Sequence, residues 1–159
     1  MRKRMVSMCC AAMLVVSMLI VPGKTVQAED TKVLDGSYLT HEDEAIGYDT
    51  KITRGEDLQT GYSKIVRLGA GKIYAGGTTL AHHDCEIVRI GVMVERAKKD
   101  DDSWTFYDGW QAEEKNTDRI ASAKALAVDG DYYYRVRCFH SANDDVSSSF
   151  TDGIYIEEP

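Results

Sequence analysis

Glu86-Ile87-Val88-Arg89-Ile90-Gly91-Val92-Met93-Val94-Glu95-Arg96 is the stretch that settles the fold class. Val88, Ile90, Val92 and Val94 recur with period two, so a pleated strand carries all of them on one face and Arg89, Gly91, Met93 and Glu95 on the other. A helix would scatter the same side chains around its axis. These four apolar residues are the expected centre of the core.

Working downstream, Lys98-Lys99-Asp100-Asp101-Asp102-Ser103 reads as the polar tip of a hairpin that returns through the aromatic run of residues 104–110. Residues 111–128 are read as a further strand through Ile120, Leu126 and Val128, although their alanines and the Glu113-Glu114-Lys115 start also suit a helix. Asp129-Gly130 supplies a turn that tolerates positive φ. After it Tyr132, Tyr134, Val136 and Cys138 alternate with Tyr133, Arg135, Arg137 and Phe139, and the first set is expected to face inward. A last strand is expected around residues 150–156.

Upstream, residues 62–68 and 72–80 read as strands separated by Gly69-Ala70-Gly71. Gly76-Gly77, in the middle of the second, marks a bulge or a close backbone approach. Short β-rich runs with turn residues every roughly 8 to 12 positions are the pattern of an all-β, antiparallel sandwich or barrel. Residues 29–61 are more polar and are read as an irregular N-terminal arm. Within the arm, Gly36 and Gly55 each precede a leucine by three residues and mark turns into short strands. The expected organisation is therefore a leader over 1–28, the arm over 29–61 and the β-sandwich over 62–159.

The leader follows from the first residues. Arg2, Lys3 and Arg4 precede an apolar run over 5–21, and Val26-Gln27-Ala28 stands just before Glu29-Asp30. Basic, apolar and small-residue segments in that order are a secretory signal peptide. A membrane anchor would need about 20 apolar residues, and the run is shorter and stops at Pro22-Gly23. A lipidated cysteine would stand at the end of the run, whereas Cys9 and Cys10 stand near its start. Cleavage after Ala28 leaves 131 residues carrying 15 basic and 26 acidic side chains, a net charge of −11. That size suits one domain. So acidic a chain is a poor match for nucleic acid or an anionic membrane, which select clustered Lys and Arg. The expected location is extracellular, with no stable membrane insertion.

Cleavage leaves Cys85 and Cys138, and two thiols in an exported chain most simply form one disulfide. Closing that loop would stabilise the fold by about 3 to 4 kcal/mol in the chain-entropy model. The alternative, two free thiols, suits export into a reducing niche.

The residues also carry a resemblance. Val92-Met93-Val94-Glu95-Arg96, the acidic loop and Trp104, followed by Asp129-Gly130 and the Tyr132-Tyr133-Tyr134-Arg135-Val136-Arg137 strand, resemble the later strands of fibronectin type III-like and immunoglobulin-like sandwiches. Gly77-Thr78-Thr79, His140-Ser141 and the Ser/Thr-rich approach to Gly153-Ile154 extend the likeness to small secreted bacterial proteins of uncharacterised function. The resemblance spans residues 69–157 and implies a fold without implying catalytic or binding residues. In the implied strand order the strand from Cys85 and the strand ending near Cys138 run antiparallel side by side. Their sulfurs would then meet at one end of the sheet with His83 beside His140. Cys85 is out of phase with Val88, which calls for a bulge near Glu86 or Ile87.

His82-His83-Asp84-Cys85, with His140, is the one group here that resembles a site. As zinc ligands, His83 and His140 would need two more donors, and His82 and Asp84 should point to the opposite face. The better reading is a set of polar residues at a strand mouth. Cys–His nucleophilic catalysis would require one of the thiols to stay reduced beside a histidine base. Asp100-Asp101-Asp102 and Asn143-Asp144-Asp145 lack a calcium-loop spacing and read as solvated tips. Trp104, Tyr107 and Trp110, with Tyr132 and Tyr133, are either core or an aromatic strip for sugar or protein contacts.

Nothing in these motifs forms a catalytic triad, phosphate loop or paired-carboxylate set. The expected function is a secreted non-catalytic binding module for a protein or carbohydrate, at or beyond the cell envelope, with no cofactor. The alternative is a bacteriocin-like antagonist or toxin.

Overall fold

The computed structural model describes residues 32–50 and 55–159, and the expected leader lies outside them. Among the described residues every element is a strand. They are β1 (Val33–Leu34), β2 (Ser37–Thr40), β3 (Glu44–Tyr48), β4 (Leu58–Gly69), β5 (Lys72–Ala97), β6 (Thr105–Ala127), β7 (Tyr132–Ala142), β8 (Asp145–Phe150) and β9 (Gly153–Ile156). The order across the sheet is β1-β2-β9-β7-β5-β4-β3, with β6 on β5 and β8 on β7. Pairing is antiparallel except between β2 and β9.

The all-β class holds, and so does the strand reading of residues 111–128. The strands do not sort into two separate sheets; they remain in one sheet that curls into a half-barrel. The cause is the length of β5 and β6, 26 and 23 residues. The first half of β5 is flanked by β4 and the end of β6, whereas its second half is flanked by β7 and the start of β6. The two halves meet at a corner, where the β5–β6 register shifts between Leu80 and Cys85. That irregularity precedes the bulge expected near Glu86, and it explains why Cys85 and Val88 are both buried. Across the corner Asn116 of β6 takes a positive φ of 53°.

The corner turns the inner faces of β5 toward each other. Thr79 Oγ1 donates to the carbonyl of Arg89 at 3.0 Å. Gly77 lies so close that an added Cβ would stand 2.6 Å from Cys138 Sγ and 2.5 Å from the Tyr62 carbonyl oxygen. The expected close approach at Gly76-Gly77 is therefore the contact between two walls. Val88, Ile90, Val92, Val94, Tyr134, Val136 and Cys138 on one wall pack against Leu58, Ile65, Ile73 and Ala75 on the other. Burying a side chain of this kind contributes about 1.5 to 3 kcal/mol.

Three expectations need correction. The described part of the arm is not a loose lead-in: β3 pairs β4, and β2 pairs β9. The last strand is two, β8 and β9, on different stretches of β7. The left-handed residue after Asp129-Gly130 is Asp131, with φ 60°.

The arm also closes a second, smaller core. Leu34 and Leu39 pack on Ala97 and Tyr133, with Trp104 and Tyr155 at the edge. Beside it Arg135, only 1% exposed, donates through Nε to Glu95 at 2.7 Å and through Nη2 to Asp35 at 2.8 Å. Its Nη1 donates to Ser37 Oγ and to the Asp35 carbonyl, each at 3.0 Å. The guanidinium also sits 4.6 Å from the Trp104 ring.

Candidate functional site

The outward face of β6, β5, β7 and β8 forms three rungs. Gly109, Met93, Arg137 and Phe150 stand side by side in the first, Gln111, Gly91, Phe139 and Ser148 in the second, and Glu113, Arg89, Ser141 and Val146 in the third. These residues occupy the outward phase because the inward phase is taken by the apolar set of the core. The face holds a cleft of about 760 Å³ walled by Phe139 and Val146 and edged by Gln111, Glu113 and Arg89. A second hollow of about 320 Å³ adjoins it through Gly91 and Phe139 and reaches Phe106.

Phe139 is 50% exposed and Val146 70% exposed, beside a glycine that contributes no side chain to the floor. Arg89 Nε donates to Glu113 Oε2 at 2.7 Å, which gives the rim a paired charge. The chemistry on offer is apolar contact at the centre with hydrogen bonding around it, the usual composition of a recognition site.

Of the aromatics singled out by sequence, Trp110 borders the second hollow, whereas Trp104 and Tyr107 line neither. Trp104 Nε1 donates to the Leu34 carbonyl at 2.8 Å, so this ring anchors the arm. Tyr107 meets the Tyr134 ring edge-on at 5.4 Å with the Arg96 guanidinium above it. Trp110 Nε1 donates to Ser122 Oγ at 3.0 Å, with Lys124 over the ring. All three are half-buried structural contacts. Phe139, which carries the cleft, has a sequence signal only in its outward phase on β7 opposite Gly91.

The cysteines are both buried thiols. β5 and β7 are antiparallel neighbours as expected, yet Cys138 lies opposite Val92 rather than Cys85. Seven positions along a strand span roughly 23 Å, and a disulfide needs Cα atoms within about 7 Å. The reason is the length of β7, which continues past Cys138 to Ala142. Burial pushes the Cys138 thiol up to about 12.

The histidines separate for the same reason. His140 is inside, opposite Ile90, with Nδ1 2.9 Å from Thr79 Oγ1 and Nε2 2.8 Å from Ser149 Oγ. The Thr79 hydroxyl proton is given to Arg89, so Nδ1–H donates to Thr79 and Nε2 accepts from Ser149, a neutral ring. Burial pulls its pKa down to about 4. This is a satisfied core histidine.

His83 is at the surface near the corner. Its Nε2 is 3.1 Å from Asp57 Oδ1, and its Nδ1 is 3.9 Å from Cys85 Sγ. The order thiol, imidazole, carboxylate matches a thiol-nucleophile relay, but the thiol is in the wrong setting. Burial first, then the charges of Asp57, Asp145 and Asp84, raise its pKa, whereas a nucleophile needs it lowered. Asp145, from the second acidic tip, accepts the Asp57 and Leu58 N–H groups at 2.8 and 3.0 Å. Compared with known proteins, the chain matches no family model, no curated protein and no solved structure.

Proposed function

We propose that this protein is a secreted, non-catalytic binding module whose ligand lies on the outward face of β6, β5, β7 and β8, and that the ligand is a carbohydrate ring. The observation that carries the reading is Phe139, half exposed beside the bare floor at Gly91 and ringed by Gln111, Ser141, Ser148 and the Arg89–Glu113 pair. A pyranose presents an apolar C–H face to an aromatic ring and hydroxyls to the polar groups around it. One stacked aromatic with convergent donors and acceptors meets both demands.

The immunoglobulin-like kinship read from the sequence has local support. The Tyr134 hydroxyl donates to the Asp129 carbonyl, five residues upstream, at 2.8 Å. Immunoglobulin-type sandwiches place such a tyrosine at the corner entering a late strand.

The reading is tested by pull-down of the purified protein on cell-wall polysaccharide, with Phe139→Ala alongside. Retention of wild type and a loss of about tenfold or more in the variant are expected, the scale of an anchoring aromatic. Equal retention of both proteins, or retention of neither, overturns it.

A further inference from the structure

The end of the half-barrel where β4 begins and β5 turns its corner gathers three side chains from two distant segments. Asp57, His83 and Cys85 each offer one ligand atom, and these atoms all lie within 4.8 Å of one another. None of the three lines the cleft described above. We propose that Asp57, His83 and Cys85 form a binding site for a divalent transition cation of zinc type, with further coordination open to solvent on the His83 side.

The donor set supports that class of ion. One thiolate, one imidazole and one carboxylate suit borderline zinc, whereas calcium and magnesium select oxygen. Metal–ligand bonds of about 2.0 to 2.3 Å at tetrahedral angles put neighbouring ligand atoms roughly 3.3 to 3.8 Å apart. With His83 Nε2 as the ligand atom, its 3.1 Å separation from Asp57 Oδ1 is close to that range, and the ligand atoms of the three residues lie within 4.8 Å of one another. Small side-chain rotations complete it. His83 is 57% exposed and Asp57 25% exposed, so an ion has a route in.

The surroundings hold the donors in place. Asp145 Oδ2 accepts the N–H groups of Asp57 and Leu58 and fixes the segment that carries the carboxylate. Gly55 makes that reach possible, since an added Cβ would lie 1.8 Å from Asp145 Oδ2. The His82 N–H donates to the Asp57 carbonyl at 2.8 Å and ties the two segments together. His83 Nδ1 also stands 3.1 Å from the Asp84 carbonyl, and metal-bound imidazoles keep their second nitrogen bonded to such an acceptor. The carboxylates of Asp84 and Asp145 add negative charge around the thiol, which favours a dication over an empty cluster of anions.

The test is titration of the purified full chain, thiols reduced, with Co²⁺ as the spectroscopic probe and Zn²⁺ as competitor. One equivalent of Co²⁺ should develop a thiolate-to-cobalt charge-transfer band that Zn²⁺ abolishes. Cys138→Ser should keep the band and Cys85→Ser should lose it. His83→Gln, at an exposed position that folding tolerates, should weaken binding about tenfold or more, and Asp145→Asn by about 10- to 100-fold as an orienting group. Absence of the band in wild type overturns the proposal, as does a band that survives His83→Gln at unchanged affinity. Should Cys85→Ser fail to fold by circular dichroism, His83→Gln decides.

Discussion

His140 shows how one residue couples the core to pH. The unfolded side chain titrates near 6.5, whereas the folded one, 1% exposed, titrates at about 4. The unfolded state therefore binds a proton first as pH falls, so the stability present above pH 6.5 is lost between 6.5 and about 4. A shift of this size corresponds to roughly 3 kcal/mol. Urea midpoints measured across that window should fall for wild type, and His140→Gln should remove that part of the slope. An unchanged slope would mean that carboxylates account for all of it. The same residue marks a limit of sequence reading. Its burial was legible from the phase of Cys138 two positions earlier, but its partners Thr79 and Ser149 come together only through the β5 corner and the β7–β8 hairpin. Cys85 and Cys138 fail as a pair for a related reason: counting thiols says nothing about register.

Among the elements, β5 was readable because its alternation is local, and β6 because Ile120 and Leu126 keep an even phase, continued by Val128 just past its end, despite the alanines. The β1–β2 hairpin was not. By phase, Tyr133 and Arg135 belong outside, and only a chain segment about a hundred positions upstream brings them under cover. Arg135 is the fastening of that hairpin, through Asp35, Ser37 and Glu95. Its hydrogen bond holds the Asp35 carboxyl below the usual carboxylate range. Truncation leaves Glu95, whose side chain is 13% exposed, without its principal counter-charge. Arg135→Met should lower the stability by about 3 to 5 kcal/mol and speed amide exchange first in β2, as read by hydrogen–deuterium exchange. Slower loss elsewhere with β2 unchanged would contradict that assignment. Arg135→Lys should recover little, since an ammonium cannot reproduce the forked contacts.

At the scale of the whole molecule, a single curled sheet buries its concave side and leaves much of the convex side open. That geometry is why the cleft lined by Phe139 and Val146 stands open on the convex side. The face was half legible: the outward phase of Arg89, Gly91 and Phe139 follows from alternation, but their alignment into rungs needs the registers of three strand pairs. The curl also leaves a long border. Among the described residues β6 pairs with β5 alone, so alternate residues along its 23-residue length turn a row of backbone donors and acceptors outward, the arrangement from which fibrils grow by strand addition. Asn116, left-handed at the midpoint, divides that row into two differently aimed halves, and no straight incoming chain can dock along both. Asn116→Val should remove the interruption, and thioflavin fluorescence of the variant should rise under conditions where wild type stays clear; the kink that shapes the corner would then also be what keeps neighbouring molecules apart.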